Sequence, residues 1–172
     1  MEQIAEKVKE QGLTPVGILL THGHFDHALG AKELSELLDV KIYAHEAEKE
    51  TLENPSINLS GWEGKRDVYH ADIYVKDEEV LELAGFQVKV LFTPGHTVGG
   101  CCYYFNEQNV VFSGDTLFEG SIGRTDFPKG SASQLIRAIK EKLMVLPDET
   151  AVYSGHGEMT SIGMERVNNP FL

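Results

Sequence analysis

Apolar residues along the chain fall into short runs that keep two different periods. Ile4, Ala5 and Val8 share one side of a helix predicted over Glu2 to Gln11, which Gly12 stops. Leu29, Leu34, Leu37 and Leu38 line one side of a helix predicted over Ala28 to Leu38. Ser131 to Met144 carries the strongest helical pattern. Leu135, Ile136, Ile139 and Leu143 form its apolar side, and Ser131 with Gln134 can form a capping box. A charged helix is expected from about His45 to Leu52. The remaining apolar runs are shorter and read as strands: Pro15 to Leu20, Lys41 to Ala44, Glu79 to Leu83, Phe86 to Phe92, Cys101 to Phe105, Val110 to Phe112 and Ala151 to Tyr153. Ala84-Gly85 marks one hairpin, and Asn106 to Asn109 joins another strand pair. Asn54 to Lys65 is polar, holds Pro55 and the lone tryptophan Trp62, and is expected to be a mobile loop. The order is two strand–helix units, then strand pairs, then a helix and a strand. It predicts sheets covered by helices, an α/β or α+β layered domain.

Length and charge bound this picture. The 172 residues fit one domain, 1–172, with a full core, and 41% hydrophobic against 24% charged residues is an ordinary globular balance. Fifteen basic residues against 27 acidic ones give a formal net charge of -12. That balance repels phosphate backbones and anionic membranes, so neither nucleic acid nor membrane is an expected partner. No apolar run is long enough to span a bilayer, and the start lacks a signal-peptide core, so a cytoplasmic location is expected. The two cysteines, Cys101 and Cys102, are neighbours on a strand. They point to opposite faces and are expected to be inert packing rather than a disulfide.

The densest chemistry is the run Thr21-His-Gly-His-Phe-Asp-His27. His22, His24, Asp26 and His27 are spaced too tightly for one helical face, so a loop is expected to present them. Crowding four such side chains is costly without a cation, and imidazole and carboxylate are zinc ligands that iron and manganese also accept. Three more residues share one context, a strand end beside glycine: His96 in Pro-Gly-His, Asp115 in Gly-Asp-Thr and His156 in Gly-His-Gly. Four strand-end loops can converge on one edge of a sheet pair. Seven ligands exceed one tetrahedral zinc and suit two metals that share a carboxylate and a water. His45 and His70 lack this context and are read as structural.

These four segments resemble the metallo-β-lactamase superfamily, with its His-x-His-x-Asp-His signature. Thr93-Pro-Gly-His-Thr97, Ser113-Gly-Asp-Thr-Leu-Phe118, Gly123-Arg-Thr-Asp-Phe127 and Asn168-Asn-Pro-Phe-Leu172 are similar to single-domain bacterial glyoxalase II-like (hydroxyacylglutathione hydrolase-like) enzymes. The resemblance implies a four-layer αββα sandwich with two zinc ions at one edge. It assigns His22, His24 and His96 to the first metal and Asp26, His27 and His156 to the second, with Asp115 as the bridge. It further implies that the two cations make a hydroxide from the shared water, which attacks a small thioester, with Asp26 and Asp115 as catalytic residues. Arg124 is the expected contact for a substrate carboxylate, or else an ion-pair partner of Asp126.

The chain also departs from that family. Members begin with a strand hairpin before the helix that opens this chain, so a sheet edge is expected to stand open unless a second copy covers it. Asp126 and Glu158 stand where glutathione-using members place tyrosines, and the C-terminal helical domain of two-domain members is not expected in these 172 residues. Two other functions follow from the same residues. A persulfide dioxygenase would use one iron held by His22, His96 and Asp115. A binding module would keep the fold without turnover. An RNase reading conflicts with the acidic balance, and a flavodiiron reading with His24, where glutamate is usual.

Overall fold

The computed structural model describes residues 1–172. Helix α1 (Glu2–Glu10) leads to strand β1 (Gly17–Leu19), two short helices α2 (Phe25–Ala28) and α3 (Ala31–Leu38), and strand β2 (Lys41–His45). A 3-10 turn over Glu46–Glu48 and helix α4 (Lys49–Glu53) precede β3 (Ile73–Val75). Then come β4 (Val80–Leu83), β5 (Phe86–Phe92), β6 (Cys101–Phe105), β7 (Val110–Gly114), and the small pair β8 (Leu117–Phe118) and β9 (Ser121–Ile122). Helix α5 (Ala132–Ala138), continued by a π turn over Ile139–Leu143, precedes β10 (Ala151–Ser154), β11 (Thr160–Ser161) and α6 (Ile162–Asn168).

Strands β1, β2 and β3 form a parallel sheet in that order, and a six-stranded sheet has the order β11-β10-β7-β6-β5-β4. Strict alternation along the strands divides the interior into three cores. Leu20, Ile42 and Ala44 pack with Ala28, Ala31 and Leu52 of α2–α4. Leu19, Tyr43 and Val75 meet Val88, Val90, Cys101 and Tyr103 between the two sheets. Leu91, Cys102, Tyr104, Val111 and Val152 carry Leu135, Ile139, Leu143 and Ile162 on the far face. Helices α2–α4 thus pack on the three-stranded sheet, and α5 and α6 on the six-stranded one. Cys101 and Cys102 lie in different cores, both free and fully buried. Burial pushes the Cys101 thiol up, and the Cys102 thiol up to about 11, so neither is a ready nucleophile.

The direction of the strands decides where the loops meet. Strand β6 is antiparallel to both β5 and β7, and β10 is parallel to β7, so β5, β7 and β10 all run the same way. Their C-terminal ends therefore share one edge. The end of β1 joins that edge because the Cys101 amide donates to the Thr21 carbonyl (2.9 Å) and the Tyr103 hydroxyl to the Leu20 carbonyl (3.0 Å). Beyond β1, the outer strand of its sheet, the inner face of the larger sheet is uncovered. A row of rings from Phe86 through Phe105 and Phe112 to Tyr153 lies there, beside a cavity of about 420 Å³.

Several local expectations change. The helix predicted from Ala28 is two helices, and the first begins at Phe25, so Asp26 and His27 sit on a helical turn rather than on the loop. The predicted helix from His45 starts later, because β2 runs on to His45, whose ring accepts from the Ala47 amide and stacks on Phe92. That matches its structural reading, as does the exposed contact of His70 with Glu53. The segment from Asn54 is pinned rather than loose. Ile57 to Ser60 are buried, and the Asn58 amide group donates to the carbonyls of Leu52 and Asp67. The cap at Ser131 forms, but its own amide donates to Gly95, so the reciprocal half of the box does not.

Candidate metal centre

All seven residues singled out in the sequence meet at the shared strand edge. His22, His24 and His96 offer ring nitrogens within 4.8 Å of one another; so do His22, His27 and Asp115; so do Asp26, His27 and His156 through a carboxylate oxygen and two rings. These three overlapping groups form a continuous row, with the His22 and His27 ring centroids 4.1 Å apart at its middle. Asp115 reaches both ends. One carboxylate oxygen lies 3.4 Å from His27 Nε2, and the other 3.6 Å from both His96 and His156 Nε2. Asp26 Oδ2 lies 3.3 Å from His156 Nε2.

Glycine permits the closest approach in the row. A side chain at Gly155 would collide with the Asp115 carboxylate and the His27 ring, so the turn before His156 can press on both only without a Cβ.

Hydrogen bonds leave one ring nitrogen free on His22 and on His96. His96 Nδ1–H donates to the Arg124 carbonyl (2.7 Å), and His22 Nδ1 faces the Thr21 hydroxyl (3.2 Å). The remaining nitrogens, His22 Nε2 and His96 Nε2, are buried with no hydrogen-bond partner, as is Asp115 Oδ1. Orphaned buried acceptors are rare, and here they point into one space, which fits a divalent cation. Burial, reinforced by the neighbouring histidines, holds His22 well below its ordinary value and lowers His24 to about 3. Burial also lowers His96, against the opposing Arg124 carbonyl and Asp115. The three rings are neutral at neutral pH, which is the ligating form. The donor set and fold support a divalent metal cofactor.

A cleft of about 300 Å³ opens over this row. Its other wall is apolar, from Phe25, Leu59, Phe118 and Phe127, with Arg124 at the rim. Phe127 stands edge-on to His24 and Trp62 edge-on to Phe127, with centroids 5.5 and 5.6 Å apart. Arg124 lies over the Phe127 ring (4.4 Å) and makes a bidentate pair with Asp126 (2.9 and 2.7 Å). Of the two expected partners of Arg124, Asp126 is in direct contact, and the side chain also borders the cleft.

Three residues of this region carried no signal in the sequence pattern. Leu59 lines the cleft in a left-handed conformation (φ 67), unusual for a branched apolar residue. Phe127 lay within a motif, but nothing marked its ring as a wall. Glu48 is fully buried behind the loops, where burial pushes its carboxyl up to about 7 against the Gly23 amide, the Thr97 hydroxyl, the Gly99 amide and the Thr51 hydroxyl.

The sequence profile described as Metallo-beta-lactamase superfamily matches residues 1–156. The chain is 43% identical to "Probable metallo-hydrolase YqgX" of Bacillus subtilis (strain 168), over 99% of this chain and 82% of that protein. It is 38% identical to "Hydroxyacylglutathione hydrolase GloC" of Haemophilus influenzae, again over 99% and 82%. Among solved structures it resembles the BLEG-1 B3 metallo-beta-lactamase with a TM-score of 0.92 at 40% identity, over 99% of this chain and 83% of that one. It also resembles TTHA1623 in a di-iron-bound form (TM-score 0.84, 38% identity, 99% and 84%). ETHE1 from Myxococcus xanthus is similar too (TM-score 0.80, 30% identity, 98% and 68%). No helix of the chain is long and apolar enough to cross a membrane.

Proposed function

The chain belongs to the metallo-β-lactamase superfamily, and on that premise we propose that it is a binuclear metal hydrolase of small thioesters, of the S-lactoyl-thiol or hydroxyacylglutathione type. The observation that carries this reading is the row of seven ligand-type side chains with orphaned acceptors at its buried end. The likeness to GloC supports the thioester class. His22, His24 and His96 would hold the first metal, Asp26, His27 and His156 the second, and Asp115 both. Zinc is the proposed metal, with iron and manganese accepted by the same donors. Bound divalent cations would lower the pKa of water toward neutrality and polarise a carbonyl.

The chain's own side chains supply the rest. Asp26, two-fifths exposed at the mouth, would accept a proton at Oδ2 and return it to solvent. Asp115 holds its carboxylate between the two ends of the row. Phe118, Phe127 and Leu59 keep water from the acyl group, and Arg124 offers its guanidinium to a substrate carboxylate. No nucleophilic side chain is needed.

The test is a zinc-loaded preparation assayed with S-lactoylglutathione, other acyl thioesters and a β-lactam. Thioester turnover with two metals per chain is expected. Turnover at the background rate with both positions filled would favour a binding module instead, and β-lactam turnover alone would replace the substrate class. A second reading, a persulfide dioxygenase with one iron on His22, His96 and Asp115, is supported by the likeness to ETHE1. One iron per chain with oxygen uptake on a persulfide would favour it.

A further inference from the structure

Glu48 is the one carboxylate of the chain that is completely buried, and it forms no ion pair. A charge-bearing side chain in such a place is costly unless every lone pair is used. Its two oxygens serve two different loops. Oε1 accepts from the Gly23 amide (2.7 Å), and Oε2 from the Gly99 amide (2.6 Å). Gly23 separates His22 from His24, and Gly99 closes the turn that begins at His96. The buried hydroxyls of Thr51 and Thr97, which have no other partner, face the same carboxylate.

The backbone packing follows the same line. A Cβ at Gly99 would strike the backbone of Ala47 and Glu48, and one at Gly23 would crowd Leu52. The segment Glu46–Glu53 is thus pressed against both ligand loops, with Glu48 as the link between them. Glutamine would fill the same space, but it has only one acceptor oxygen. Its amide nitrogen would face a second N–H donor. An apolar residue would leave both amides unpaired. Only a carboxylate accepts from both loops at once.

We propose that Glu48 is a positioning residue that clamps the His22–His24 loop to the His96 loop and so sets the separation of the three buried metal ligands. It touches neither metal nor substrate. The inference rests on the metal-centre reading above. Outer partners that orient ligands typically change metal affinity by about 10–100-fold when removed. The clamp bears most directly on the buried end of the row: Glu48 bonds the Gly23 and Gly99 amides and makes no hydrogen bond to Asp26, His27 or His156, although Asp26 and His27 follow His24 directly on α2, so the larger loss falls at the first position.

The experiment compares wild type, Glu48→Gln and a control, Val152→Ala, whose truncation lies in the core on the far side of the larger sheet. Zinc affinity at each position is measured by chelator competition, and the cobalt(II)-substituted proteins are compared by absorption. Glu48→Gln is expected to weaken the first position by about 10–100-fold, change the second by less and shift the cobalt bands. Val152→Ala should lower thermal stability without moving either reading. Wild-type affinity and spectrum in folded Glu48→Gln would overturn the proposal, as would a loss no greater than the control's. If Glu48→Gln does not fold, Glu48→Asp carries the test. It keeps the charge but is too short for both amides, so wild-type affinity there would also overturn the clamp. Wild type that takes up no zinc would instead sink the metal-centre reading itself.

Discussion

The two ends of the ligand row are built differently. His22, His24 and His96 are each 4% exposed or less, one of them is hydrogen-bonded to a backbone carbonyl, and Glu48 ties their loops together from behind. At the other end the His156 side chain is 58% exposed and that of Asp26 40%, and their polar contacts are mostly with each other and with His27. The buried end is rigid because its backbone donors are consumed and its rings have little freedom left to lose. The open end must order its side chains when it takes a ligand, and it competes with water throughout. The contrast teaches that one fold edge can present a tightly held ligand group and a loose one side by side. Only the loose one lies at the mouth.

The comparison breaks most severely at its shared carboxylate. Asp115 reaches both ends of the row, so Asp115→Ala should disturb both positions and lower thioester turnover by more than about 100-fold, beyond the usual effect of an outer partner. Metal analysis after dialysis should find less than one zinc per chain; two retained zincs would contradict the account. His156→Ala should act on the open end alone. One zinc is expected to remain, with activity down by roughly 10–100-fold, and an equal loss of both metals would show that the ends are not separable.

Removal of metal exposes the buried end to pH. His22 and His24 have folded values below the ordinary 6.5, His24 at about 3. Between 6.5 and those values the unfolded chain binds more protons than the folded one, so their contribution to stability is full above 6.5 and is lost as pH falls. Glu48 acts in the opposite sense between 4.5 and about 7, since its folded value is raised. Two histidines outweigh one carboxylate, and His45 and His96 are lowered as well. Calorimetry of the metal-free protein should therefore show the melting temperature falling from pH 6.5 downward; a rise would refute the neutral-imidazole picture. The smallest effect is expected at the rim. Arg124→Ala should leave metal content unchanged and raise KM about two- to fivefold for substrates bearing a carboxylate, the range of an exposed ion pair. An unchanged KM would assign Arg124 to Asp126 alone.

What could be read in the sequence follows the same division. The seven candidate ligands were legible because four of them, from His22 to His27, are costly to crowd and because His96, Asp115 and His156 each follow a strand and adjoin glycine. The strands of the larger sheet were legible because alternation survives in runs such as Phe86 to Phe92. The strand Ile73–Val75 was not, since three residues carry no alternation, and neither was the last helix from Ile162. The break between α2 and α3 was hidden by an unbroken set of leucines: Leu29 is half exposed at the junction instead of facing the core. Glu48 was invisible for a different reason. In the run Glu46-Ala-Glu-Lys-Glu50 it has the pattern of a solvated helix face, and only the tertiary approach of Gly23 and Gly99 makes it an interior residue.

Stepwise zinc titration of the metal-free protein under chelator competition tests the central claim most directly. The account predicts two zincs per chain with affinities at least about tenfold apart, an outer-partner effect in size. It further predicts that His156→Ala removes only the weaker step. A single step, or two equal ones both abolished by His156→Ala, would contradict it.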